Sequence, residues 1–103
     1  MRVELLEEAR LDLVEAYDYI AEDNPSAARR TIKRIREHIL ALVKHPWMAP
    51  VYPDVPNVRR LVISGTHYLA FYRVNEAAGR VEVLRVLHSA QQSPTGFREA
   101  QDG

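Results

Sequence analysis

The dipeptide Asn24-Pro25 separates two helical patterns and constrains the fold more than any other feature of this chain. An asparagine before a helix accepts hydrogen bonds from the free backbone N–H groups of the first turn. A proline suits the first helical position, because its missing N–H would have no partner there. We therefore expect one helix to end before Asn24 and a second to begin at Pro25, so that the two form a hairpin.

The spacing of apolar residues predicts the extent of both helices. The first is predicted over residues 8–23, with these side chains on one face: Leu13, Ala16, Tyr17 and Ile20. The second has a longer stripe with steps of three and four: Ala28, Ile32, Ile35, Ile39 and Leu42. It should end near His45, because Pro46 disfavours the helical conformation in the residue before it.

Four short segments have the composition of β-strands. Residues 3–6 form the first, and three runs follow a loop with four prolines at 46–57, which excludes a regular strand or helix there. The runs are 59–63, 68–74 and 81–88, joined by segments that suit hairpin turns. The predicted fold is α+β, in the order β-α-α-β-β-β. Its N-terminal helical hairpin packs on one face of a small, mainly antiparallel sheet, and the other face is partly open.

The length of 103 residues accommodates one domain with a single core, which we assign to residues 1–88. Residues 89–103 are polar, and we expect a mobile C-terminal tail there. The absence of cysteine excludes a disulfide framework and a thiolate metal site. The first residues are acidic where an export signal is apolar, and no apolar stretch reaches the roughly 20 residues that span a bilayer. We expect a cytoplasmic protein that does not bind membranes.

Charge is distributed unevenly along a chain whose formal net charge is zero. Residues 1–24 contain eight acidic and two basic side chains, whereas residues 25–46 contain six basic and one acidic. We expect the two helices to neutralise one another, or the basic helix face to be solvated, and no sequence-specific DNA binding by the chain alone. The four histidines lack ligand spacing and no glycine-rich phosphate loop is present, so we predict neither a metal nor a cofactor.

Five segments resemble the RelE/ParE superfamily of toxins from bacterial type II toxin–antitoxin pairs. The match covers nearly the whole chain, and the segments have the same order and spacing as in the family: Ala9 to Leu13, Tyr19 to Pro25, His45-Pro46, Tyr68 to Val74 and Val83 to His88. The pattern is closest to the ParE branch. This resemblance implies a plasmid-stabilising toxin that arrests growth by inhibiting DNA gyrase. It also implies a separate antitoxin, ParD-like or other, whose extended segment fills apolar grooves beside the hairpin and sheet.

The RelE branch provides an alternative function, cleavage of mRNA on the ribosome. That reaction needs a general base, a general acid and cations that stabilise the phosphate charge. A key arginine of the nucleases aligns with Leu69 of this chain. The resemblance therefore implies that one side chain that binds phosphate in the nucleases is absent here. His88 is the best catalytic candidate, with Arg59, Arg60 or Arg73 holding phosphate. In a regular strand Arg85 and His88 point to opposite faces, and only a bulge would place both in one site.

We therefore predict a gyrase inhibitor that is not itself an enzyme. The candidates for polar contact with the target are Arg59, Arg60, Arg73, Arg85 and His88. Four loop residues either cover the open end of the core or bind the antitoxin: Trp47, Met48, Val51 and Tyr52. A third alternative is a non-toxic member that acts only in complex with its antitoxin.

Overall fold

A computed structural model describes residues 1–90 as two helices packed on a four-stranded sheet. The elements are β1 (Arg2–Leu5), α1 (Glu7–Ala21), α2 (Pro25–Leu40), a 3-10 turn (Ala41–Val43), β2 (Arg59–Val62), β3 (Tyr68–Asn75) and β4 (Arg80–His88). The strand order is β1-β4-β3-β2, with β1 parallel to β4 and the other pairs antiparallel. The predicted α+β order is confirmed. Most of the predicted tail, from residue 91 onward, lies outside the described residues.

The hairpin between the helices forms as predicted from Asn24 and Pro25. Asn24 Oδ1 accepts a hydrogen bond of 3.0 Å from Ala27 N, and Pro25 is the first residue of α2. Helix α1 ends at Ala21, two residues before the predicted boundary, because the chain already turns through residues 22 and 23. Helix α2 ends at Leu40, and the 3-10 turn continues its course almost to His45.

Apolar layers lie on both faces of the sheet. The larger layer lies between the helices and the sheet and includes Ile35, Leu42 and Tyr72. The second layer, on the opposite face, contains loop residues together with strand residues: Tyr52, Val55, Val58, Leu69, Phe71, Leu84 and Leu87. The proline-rich loop thus folds over part of the face that faces away from the helices.

Strand β4 contains a bulge that changes the direction of its side chains. Phe71 pairs with Arg85, and the next residue of β3 pairs with Val83, so Leu84 lies between two successive pairs. A bulge of this kind shifts the alternation of side chains along the strand. Val83 and Val86 accordingly both pack in the helix-side layer, although they are three residues apart.

Candidate functional site

Arg85 and His88 line the same groove, which has a volume of ≈ 480 Å³ and lies between α1 and the end of β4. Its wall includes Glu15, Tyr19 and Tyr68. Residues 85–88 pair in regular register with β3, and the partners of Arg85 and His88, Phe71 and Tyr68, belong to the layers on opposite faces of the sheet. Both side chains nevertheless reach the groove, because it lies at the edge of β4 beyond Val83, the last residue that pairs with β1. The expectation that only a bulge could place both residues in one site is therefore wrong. The structure brings these two candidate residues together.

Arg85 is held by carboxylates of α1. Its Nε and Nη2 donate to Asp12 at 2.7 and 2.9 Å, and Glu8 lies 3.6 Å from its Nη1. The hydrogen bonds from Arg85 to Asp12 raise the pKa of the guanidinium. Because Asp12 already occupies the fork of the guanidinium, a phosphate would have to displace it in order to bind there.

His88 is surrounded by aromatic rings and a backbone donor. Its Nδ1 accepts a hydrogen bond of 3.0 Å from Ala90 N, so a neutral ring carries its proton on Nε2. The ring stacks on His67 at 5.7 Å and packs edge to face on Tyr68 at 5.3 Å. Burial raises the pKa of Tyr68, and Tyr19 adds to this effect, so the Tyr68 hydroxyl remains protonated at neutral pH.

Arg73 lies on the sheet face opposite the helices, in an ion cluster centred on the buried carboxylate of Glu82. Its Nε is 2.7 Å from Glu82, and Arg80 Nε approaches the same carboxylate at 2.7 Å. Burial alone would raise the pKa of Glu82, but the hydrogen bonds from the two arginines outweigh it and hold the pKa below its ordinary value. His88 pairs with Tyr68 of β3, and Arg73 is five residues further along that strand, a distance of about 17 Å. Arg73 does not share a site with His88.

Arg59 and Arg60 fasten the proline-rich loop to β2. Arg59 Nη1 donates to Ala49 O at 2.7 Å and to Trp47 O at 3.3 Å, and its guanidinium lies 5.1 Å from the centre of the Trp47 ring. The Arg60 guanidinium lies 5.7 Å from the centre of the Tyr52 ring. The five polar candidates are therefore distributed over three places in the fold.

The four loop candidates divide into one buried and three exposed side chains. Tyr52 is buried and meets Phe71 edge to face at 5.2 Å, so it covers the core. Trp47, Met48 and Val51 are 51 to 56% exposed and remain available to a partner. Antitoxin binding by these residues stays a prediction.

An apolar groove along the helical hairpin was not predicted at the level of residues. It consists of two adjoining cavities of ≈ 460 and ≈ 500 Å³ that share Leu5, Arg10 and Arg36. Its other apolar walls are Val3, Leu13, Val14, Tyr17, Ile32, Ile39 and Leu40. The sequence signal was Val14 and Leu40, two large apolar residues outside the predicted stripes, which are 57 and 62% exposed. We call this surface the hairpin groove.

Two general features of residues 1–90 bear on the class of protein. No helix in this part of the chain is long and apolar enough to cross a bilayer. Within the same residues, no three histidine, aspartate or glutamate side chains are grouped as metal ligands would be.

Comparison with solved structures identifies the architecture. The chain superposes on a structure described as a chromosomal ParDE toxin–antitoxin system from P. aeruginosa, with a TM-score of 0.74 and 26% identity, covering 85% of this chain and 95% of that one. It also superposes on the RelBE2 toxin–antitoxin complex of Mycobacterium tuberculosis, with a TM-score of 0.61, 23% identity and coverage of 84% and 88%. The second likeness is one of fold alone.

Sequence comparison agrees with the structural matches. The chain is 37% identical over 86 residues to Y4kP of Sinorhizobium fredii, a protein named as a candidate toxin, and the match covers 82% of each chain. The family model described as the ParE toxin of type II toxin-antitoxin system, parDE, matches residues 3–93, which include every helix and all but the first residue of the strands. The resemblance to the RelE/ParE superfamily is confirmed, and the chain belongs to the ParE family of type II toxins.

Proposed function

We propose that this ParE-family toxin inhibits DNA gyrase by binding it, that it does not cleave RNA, and that a cognate antitoxin neutralises it. The proposal places its action in the cytoplasm. The observation that supports it most is the environment of Leu69, the position that aligns with the nuclease arginine. Leu69 is 8% exposed and packs in the second apolar layer with Phe71 and Leu84. A guanidinium at this place would lose its hydration without gaining a carboxylate partner from that layer.

The bonding of the other arginines also favours an inhibitor over a nuclease. Arg73 and Arg85 each hold a carboxylate at 2.7 Å, and Arg59 donates to two loop carbonyls. A nuclease stabilises developing phosphate charge with cations that are free to face it. In this chain the same cations fasten secondary-structure elements to one another.

The first test is a gyrase assay with the purified chain, relaxed plasmid and ATP. Supercoiling and cleaved DNA are measured together, with gyrase from the native host and from a standard source. We expect supercoiling to fall and cleaved DNA to accumulate. If a folded sample affects neither enzyme, gyrase is not the target.

Cleavage of mRNA is retained as a second candidate, because Arg85 and His88 line one groove beside Tyr68. The test compares growth arrest by the His88→Ala and His67→Ala variants, since the two rings stack on each other but only His88 lines the groove. A nuclease requires loss of toxicity for His88→Ala alone. Full toxicity of folded His88→Ala would exclude this mechanism. Absence of growth arrest with the unaltered chain would favour the non-toxic member.

The hairpin groove is the surface that best fits an antitoxin segment. It joins apolar walls from α1, α2 and β1 with the cations Arg10 and Arg36. Both structural matches are described as toxin–antitoxin systems or complexes. An amphipathic segment that buries its apolar side chains in this groove would also remove exposed apolar area from the free toxin.

A further inference from the structure

Helix α2 carries a mainly basic surface. Arg29, Arg30, Lys33 and Arg36 are all exposed, and at 100° per residue they occupy one side of the helix together with one exposed acidic residue, Glu37. The buried residues of α2 lie on the other side: Ala28, Ile35 and Ile39. We call the four cations the basic face.

The acidic residues of α1 do not neutralise the basic face. Within residues 1–90 there are five ion pairs with N···O distances of 4.0 Å or less, and each uses Arg73, Arg80 or Arg85. Glu8 and Asp12 of α1 pair with Arg85, in the groove beside β4. Of the two explanations offered for this charge pattern, pairing between the helices is therefore wrong. Apart from a hydrogen bond of 3.0 Å from Arg30 Nη1 to Ser26 Oγ, the four cations are left to solvent or to an external anion.

We infer that the basic face contacts the phosphate backbone of duplex DNA. Arg29 and Arg36 are about 10 Å apart along the helix axis, at 1.5 Å per residue, and duplex DNA carries one negative charge per about 1.7 Å of its axis. About six phosphate charges therefore lie along the length over which the helix presents four cations, so each cation has an anionic partner within reach. The inference rests on the proposed function, because DNA is present wherever gyrase works and would lie beside a toxin bound to it.

The composition of the basic face favours nucleic acid over a protein partner. No large apolar side chain is exposed between Arg29 and Arg36, although Arg36 itself also borders the hairpin groove. Protein interfaces have an apolar core, whereas contacts to a nucleic-acid backbone are made largely by basic and polar side chains. Because such contacts are independent of base sequence, the inference is compatible with the absence of sequence-specific DNA binding.

Fluorescence anisotropy with a labelled DNA duplex of random sequence, at about 50 to 200 mM KCl, tests the contact. The test variant combines Arg29→Gln with Lys33→Gln, and the control combines Arg2→Gln with Lys44→Gln at exposed positions elsewhere. Both variants change the net charge equally. Each phosphate contact contributes about 0.9 to the slope of log K against log salt, so the test variant should reduce the slope by about 2. The control should keep the wild-type slope.

Four results would overturn the inference. Three are equal slopes for the two variants, no binding of DNA by the wild-type chain at the lowest salt, and stronger binding to an RNA duplex than to the DNA duplex. The fourth comes from a competition experiment. Displacement of DNA by polyglutamate at equal charge would assign the face to an acidic polypeptide instead. Circular dichroism confirms that the variants fold, since glutamine is a good helix former. The gyrase assay and the DNA-binding assay can give different outcomes. If the chain traps gyrase on cleaved DNA but the two variants have equal salt slopes, the DNA contact is disproved and the proposed function stands.

Discussion

Asp12 and Arg85 are 73 residues apart in the chain and are joined by two hydrogen bonds of 2.7 and 2.9 Å. Asp12 also accepts a bond of 2.9 Å from Val86 N, so its buried carboxylate has three donors. A carboxylate buried in this way is tolerated only when it is paired and hydrogen-bonded. These bonds join the middle of α1 to the bulged part of β4, and the direction of Arg85 into the groove depends on them.

Replacing Asp12 by Asn should destabilise the fold strongly. The change removes the charge that compensates Arg85, and we expect the free energy of unfolding to fall by about 3 kcal/mol. Urea denaturation measures it. Glu8→Gln is the matched control, because that carboxylate also faces Arg85 but its side chain is 52% exposed, and it should cost less than about 1 kcal/mol. An equal loss of unfolding free energy in the two variants would show that burial of Asp12 does not determine the strength of its ion pair.

Gly65→Ala should cost more than Gly79→Ala. Both glycines have left-handed backbone, with φ of +82° and +67°, so alanine strains each by about 1 kcal/mol. At Gly65 the new Cβ would also collide with the guanidinium of Arg34, which donates to Ser64 O at 2.7 Å, whereas no atom lies within 4 Å at Gly79. Loss of that bond should add about 1 kcal/mol, measurable by thermal unfolding. A larger effect at Gly79 would contradict this account.

Glu82 should make stability sensitive to acid. Its pKa is lower in the folded chain than the roughly 4.3 of a free glutamate, so its contribution is fully present above that pH. The contribution is lost as the pH falls through the folded pKa. Denaturation of the wild-type chain and Glu82→Gln at a series of pH values measures the difference. We expect the two curves of stability against pH to converge in acid, and parallel curves would show that Glu82 does not titrate in this way.

Val14→Glu should weaken antitoxin binding without unfolding the toxin. Val14 lines the hairpin groove and is 57% exposed, so a carboxylate there stays hydrated in the free chain but is buried under an apolar segment. We expect at least a tenfold loss of affinity, measured by calorimetry with the cognate antitoxin. Val62→Glu, on β2 and 60% exposed, is the control and should bind normally. The groove assignment fails if the control loses as much affinity as Val14→Glu.

The features that followed from the sequence are those whose cause is local. Asn24 and Pro25 determine the turn between the helices, and runs of residues that favour strands identify β3 and β4, because the responsible groups are within a few residues of each other. The pairing of Arg73 with Glu82 could also have been predicted from the sequence, since a hairpin turn at residues 75–80 sets these two residues opposite each other. It was missed because Arg73 was assigned to target contact without its cross-strand neighbour.

The bulge in β4 and the pairing of Asp12 with Arg85 could not be predicted in the same way. The residues around Leu84 have an ordinary strand composition. Asp12, which accepts a hydrogen bond from Val86 N just after the bulge, is 74 residues away from Val86 in the chain. The geometric argument against a joint site for Arg85 and His88 considered only the two faces of the strand, and it failed because both side chains reach a groove at the edge of β4.

The parallel pairing of Arg2–Leu5 with Arg80–Val83 has a consequence for synthesis of the toxin. The first strand made on the ribosome has to wait for the last strand before it can join the sheet. Until β4 emerges, the helical hairpin has only an incomplete sheet on which to bury its apolar side. A nascent chain therefore cannot complete its native fold. The toxin can bind a partner only when translation of its domain is essentially complete.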